Sequence, residues 1–105
     1  MNNEVKTILP IELNKRLESQ EKVVIIDVRE PEEWVSGHIP NAKHIPLGSI
    51  QNRLVEIDPN TETVVVCRSG NRSGQACEFL AEKGYKVVNM VGGMMQWPGE
   101  VERGS

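Results

Sequence analysis

Thr63-Val64-Val65-Val66-Cys67-Arg68-Ser69-Gly70-Asn71-Arg72 is the stretch on which the fold turns. Its first half is β-branched throughout, the pattern of a strand buried on both faces of a sheet. Its second half is small, polar and glycine-bearing. It leads into Arg72–Lys83, where Ala76, Cys77, Leu80 and Ala81 make one apolar helical face. A buried strand running through a tight loop into a helix is half of a strand–helix–strand unit, and such units build parallel sheets covered by helices.

Working upstream, Val23-Val24-Ile25-Ile26-Asp27 is a second run of the same kind. Arg29–Ser36 reads as a short helix opening at Pro31, with Glu32 and Glu33 in the first turn, where the helix dipole favours them. Gly37 ends it, His38–Ala42 is rich in turn residues, and Lys43–Pro46 is a short extended piece. Ser49–Ile57 places Ile50, Leu54 and Ile57 at helical spacing before the turn Asp58-Pro59-Asn60. Nearer the N-terminus, Val5–Leu9 reads as a strand or extended arm. Pro10 then opens a helix whose Leu13 and Leu17 share a face. Downstream, Gly84 stands where a left-handed helix cap belongs, Lys86–Asn89 is a third strand, and Gly92-Gly93 leads to a final short helix around Met94–Trp97.

The reading is an α/β fold in a single domain over residues 1–105, with its core at about 5–97 and a tail at 98–105. In parallel sheets the ligand crevice lies beyond the C-terminal ends of the strands. Asp27 and Cys67 each end a buried run, so both fall on that edge.

Composition narrows the classes. The hydrophobic fraction is 38% and the charged fraction 26%, enough for a modest core without disulfides or a metal. A net charge of −3 with mixed signs offers no basic stripe for nucleic acid, so any anion site must be a compact pocket with its own local field. The opening Met1-Asn2-Asn3-Glu4 has no signal-peptide pattern, and the longest apolar runs are too short to span a membrane. A cytoplasmic address is expected, and there two cysteines are better read as thiols than as a bridge.

The chemistry centres on Cys67. A cysteine that leaves a buried strand for a tight loop and a helix N-terminus meets several convergent N–H groups, a nest for an anion. Arg68 and Arg72 add positive charge. Together these terms favour thiolate over thiol. Arg72, at the helix mouth, is expected to face the site, whereas the side chain of Arg68 can point outward while its N–H points in. A thiolate beside a bound oxyanion suits attack on a sulfane sulfur or on phosphorus.

Asp27-Val28-Arg29-Glu30-Pro31-Glu32-Glu33-Trp34, Gly37-His38-Ile39-Pro40-Asn41-Ala42, Cys67-Arg68-Ser69-Gly70-Asn71-Arg72-Ser73 and Gly92-Gly93 resemble, in order, the motifs of the rhodanese family. The resemblance implies a three-layer fold with a central five-stranded, mostly parallel sheet and helices on both faces. It implies a sulfurtransferase in which Cys67 carries a sulfane sulfur as a persulfide. The small anionic donor would be thiosulfate or a persulfide, and the acceptor a thiol or cyanide. Arg68, Ser69, Gly70, Asn71 and Arg72 would then cradle the substrate, with Asp27 and Arg29 supporting the loop from behind. No cofactor, metal, nucleic acid or membrane is called for. A sulfur-relay or regulatory module acting on a partner protein is the alternative, and a catalytically dead binding domain a third.

A cysteine phosphatase or arsenate reductase is disfavoured, because those relatives carry a longer loop than the four residues between Cys67 and Arg72. The family often has glycine at the position of Asn41, and asparagine is the residue that best tolerates the left-handed geometry in its place. His38 and His44 are expected to pack and hydrogen-bond rather than form a Cys–His dyad. Cys77, in the helix, is expected to be core, and Met94, Met95 and Trp97 to close the core at the pocket rim.

Overall fold

The computed structural model describes residues 5–105. Residues 1–4, on which the signal-peptide reading rests, lie outside the described residues. The chain runs β1 (Lys6–Ile8), α1 (Pro10–Glu18), β2 (Val24–Asp27), α2 (Pro31–Ser36), β3 (Lys43–His44), β4 (Thr63–Val66), α3 (Asn71–Glu82) and β5 (Val87–Met90). The strands form one five-stranded sheet in the order β1-β5-β4-β2-β3, every pair parallel.

The β-branched runs lie in the middle of this sheet because they are apolar on both faces. Val64 and Val66 pack into one cluster with Ile8, Leu13, Ile25, Ile39, Val88 and Met90, on the side of α1. Val65 and Cys67 point the other way, among Ile26, Ile45, Ile50, Ala76, Cys77 and Leu80, on the side of α3. Val64, Val65 and Val66 are fully buried. Burial of such a side chain contributes on the order of 1.5–3 kcal/mol, so this run anchors both cores at once.

Several local signals act as expected. Gly84 adopts φ +89°. Its N–H donates to the Ala81 carbonyl, and the Tyr85 N–H to that of Leu80. This is the paired-bond cap that a left-handed glycine permits at the end of α3. Asn41 takes φ +68°, so the turn expected to survive without glycine does.

The segment 49–57 departs from the sequence reading. It forms 3₁₀ turns, Leu47–Ser49 and Gln51–Glu56, with Arg53 at φ −120° interrupting the second. The spacing of Ile50 and Ile57 is met by burying both residues under α3 without a regular α-helix. The final helix is likewise a single 3₁₀ turn, Met94–Gln96. Residues 98–105, read as a tail, are tied back. Glu102 and His38 exchange backbone hydrogen bonds of 2.8 and 2.9 Å, and the Gly104 N–H donates to the Val35 carbonyl. No helix among the described residues is long and apolar enough to cross a membrane.

Candidate active site

Cys67 follows the last residue of the central strand β4, and α3 begins four residues later at Asn71. The intervening loop is held from below by the segment after β5. The Met94 N–H donates to the Cys67 carbonyl at 2.8 Å and the Met95 N–H to that of Arg68 at 2.9 Å. Gly93 lies directly under the loop: a Cβ there would meet the Arg68 carbonyl oxygen at 2.3 Å and the Ser69 nitrogen at 2.6 Å. Its φ of +61° and ψ of −162° belong to a region reserved almost wholly for glycine. The Gly92-Gly93 pair of the sequence is therefore the floor of the site. Gly93→Ala is expected to cost about 2–4 kcal/mol from backbone strain plus overpacking, read as a lower urea midpoint. Gly48→Ala, at a position with open space around it, should leave the midpoint in place.

The Cys67 sulfur is buried and surrounded by donors. The Gly70 N–H donates to Sγ at 3.0 Å, and the Ser73 hydroxyl lies 3.2 Å away. Burial alone would push the thiol up. The Ser73 hydroxyl and the backbone N–H groups of Ser73, Gly70 and Ser69 outweigh it, and the thiol lies below its ordinary range. The N–H groups of Asn71 and Arg72 belong to the first turn of α3 and lack intrahelical acceptors, so they remain for a bound anion. Gly70 supplies the bend, at φ +100°.

Of the residues expected in the cradle, Ser69 and Gly70 form the loop itself and Asn71 opens α3. The Arg68 side chain is exposed and has no hydrogen bond or ion pair among the described residues. Arg72 is not free. Its guanidinium forms a two-pronged pair with Glu33 at 2.7 and 2.8 Å, joining α3 to α2. Those hydrogen bonds hold the Glu33 carboxyl down at about 2, so the pair persists over the whole working pH range. Arg72 therefore brings to the site a charge already partly neutralised. Glu33 was legible only as a first-turn carboxylate.

Asp27 and Arg29 form a buried pair of their own. Both Asp27 oxygens accept from the Arg29 guanidinium at 2.8–3.0 Å, and the Arg29 N–H also donates to Asp27. The guanidinium donates further to the Gly37 carbonyl at 2.7 Å. Neither side chain hydrogen-bonds to residues 67–72 among the described residues, so any support they give the loop runs through α2, which carries Glu33. The histidines are occupied elsewhere. His38 Nδ1 bonds the Trp34 carbonyl, His44 Nε2 bonds the Arg29 carbonyl, and both rings stack on Trp34. Cys77 is buried, and burial with the nearby Cys67 and Glu78 charges pushes its thiol up to about 12. Among the described residues no cluster of His, Cys, Asp and Glu could hold a metal ion.

Two residues escaped the sequence reading. Ser73 lay inside the quoted motif but was given no role. Asn89 is the lone polar residue of β5, and that break in an apolar strand was the available signal.

This is the architecture of an α/β protein that holds a buried cysteine sulfur among backbone N–H groups at the C-terminal edge of its central strand. The chain matches the rhodanese-like domain over residues 9–100 and belongs to that family. It is 44% identical to YtwF of Bacillus subtilis, over 94% of this chain and 96% of that protein. It is 32% identical to the thiosulfate sulfurtransferase GlpE of Pseudomonas putida, over 92% and 93% of the two chains. The crystal structure of a rhodanese-like domain protein from Staphylococcus aureus superposes with a TM-score of 0.89 at 39% identity, covering 96% of this chain and all of that one.

Proposed function

We propose that the protein is a sulfurtransferase that moves a sulfane sulfur through a persulfide on Cys67. The observation that carries this reading is the Cys67 sulfur itself, buried yet ringed by the Gly70 N–H and the Ser73 hydroxyl with its thiol lowered. The Cys67 thiolate attacks the outer sulfur of thiosulfate. The new S–S bond forms as the old one breaks, and sulfite leaves with the electron pair. The persulfide's outer sulfur then carries the negative charge, and the N–H groups of residues 69–72 receive it. A thiolate or cyanide attacks that outer sulfur in turn, departs as a persulfide or thiocyanate, and returns Cys67 to the thiolate. A persulfide donor enters the same cycle with a thiolate as leaving group. The tight loop, with four residues between Cys67 and Arg72, fits one sulfur atom better than a tetrahedral phosphate. A soluble cytoplasmic setting with reduced thiols suits this chemistry.

Intact-protein mass spectrometry before and after thiosulfate tests the reading. The expected result is a gain of one sulfur atom that cyanide removes. No gain with thiosulfate or with any persulfide donor would overturn it. Rapid loading followed by slow turnover on small thiols would assign the acceptor side to a dedicated relay protein.

A further inference from the structure

The hydrogen bonds around Cys67 continue past the loop to a side chain on the neighbouring strand. Ser73 Oγ donates to Asn89 Oδ1 at 2.6 Å, and Asn89 Nδ2 donates to the Gly70 carbonyl at 3.2 Å. Ser73 and Gly70 are also the two residues whose hydroxyl and N–H meet the sulfur. One carboxamide thus grips both arms of the sulfur's cradle. The fold makes room for it. Asn89 sits on β5 facing α3, where Gly74 leaves the space; a Cβ at Gly74 would stand 3.3 Å from Nδ2. Ser73 donates to Asn89 and Asn89 to Gly70, so a protonated Cys67 thiol is left to donate to the Ser73 oxygen.

We propose that Asn89 is a positioning residue that holds Ser73 and Gly70 on the Cys67 sulfur and so sets how readily Cys67 ionises. Ser73 is fully buried and has a single proton to give. In the thiol state that proton rests on Asn89. On ionisation it turns to the sulfur and leaves Asn89 Oδ1, while the Asn89 Nδ2 bond to the Gly70 carbonyl stays in place and keeps the loop on the sulfur. Without the carboxamide, the hydroxyl and the Gly70 backbone are both free to shift away, and a thiolate that loses donors becomes harder to form. Asn89 also polarises the Gly70 carbonyl, which strengthens the N–H of Asn71 in the same peptide unit.

The test rests only on Cys67 ionising, not on sulfur transfer, so it stands whether or not the proposed activity is found. Ultraviolet thiolate absorbance is followed against pH for the native chain, Asn89→Ala, Ser73→Ala and the double variant. Cys77, pushed up to about 12, stays silent over the range read. Asn89→Ala is expected to raise the Cys67 midpoint by roughly one pH unit, and Ser73→Ala by a similar amount. The double variant should fall short of the sum, because part of the Asn89 effect passes through Ser73. An unchanged midpoint in folded Asn89→Ala overturns the proposal, as does strict additivity with Ser73→Ala. Should Asn89→Ala fail to fold, Asn89→Ser is read against the same two criteria.

Discussion

Cys67→Ser is expected to take up no sulfur from any sulfane donor while folding as the native chain does. The side chain is buried at the end of β4, and its partners are the Gly70 N–H and the Ser73 hydroxyl. A serine oxygen keeps both partners and is slightly smaller than sulfur, so the core on the α3 side loses little. What it cannot do is ionise. The loop lowers a thiol whose ordinary value is already within reach of neutrality, whereas a hydroxyl stays protonated and is no nucleophile toward sulfur without a base. Neither histidine supplies that base, because both are bonded to backbone carbonyls and stacked on Trp34. Cys77 offers no second route, being buried and neutral up to about pH 12. Mass spectrometry after thiosulfate should therefore show an unchanged mass, with thermal unfolding close to native. Sulfur on the variant would move the carrier role away from Cys67. In the native chain, loading should gain with rising pH until Cys67 is fully ionised, and reach its plateau at lower pH than free cysteine does.

The largest loss of stability is expected from Asp27→Ala. Asp27 is fully buried and Arg29 is 5% exposed, so each charge is tolerated because the other is present. Alanine leaves the Arg29 guanidinium inside the protein with the Gly37 carbonyl as its remaining acceptor. Removing one partner of a buried ion pair costs about 3–5 kcal/mol. In a domain of this size that is a fall in Tm of roughly 15 °C or more. The consequence reaches the site through α2, since the turn Asp27 braces leads into that helix, which carries Glu33 and hence Arg72. Differential scanning calorimetry reads the first effect. A Tm within about 2 °C of native would show that Arg29 finds other solvation, and would remove the pair as the brace of that turn.

The parallel arrangement was legible because its causes are local. Two β-branched runs, each apolar on both faces, have a stable place only in the middle of a covered sheet, and β2 and β4 lie there. Pro10, Pro31 and Gly84 mark helix ends through backbone geometry that belongs to the residues themselves. The 49–57 segment misled for the complementary reason. Its helical spacing fits, but Arg53 breaks the α geometry, and the apolar residues find their places in 3₁₀ turns.

Cys67 was identifiable for the same local reason: strand, loop and helix are contiguous, so their junction and its N–H groups follow from the order of residues. The sequence by itself thus determined the fold class and put Cys67 at the C-terminal edge of the central strand, where the proposed chemistry lies. Only the tertiary structure decided what surrounds that residue. Arg72 meets a carboxylate 39 positions away, and Ser73 an amide 16 positions away. Gly93 closes on Arg68 from another crossover of the chain. Periodicity and capping report the geometry of a few neighbouring residues. Which side chains face one another across layers depends on strand order and helix placement, which are fixed only when the whole core packs.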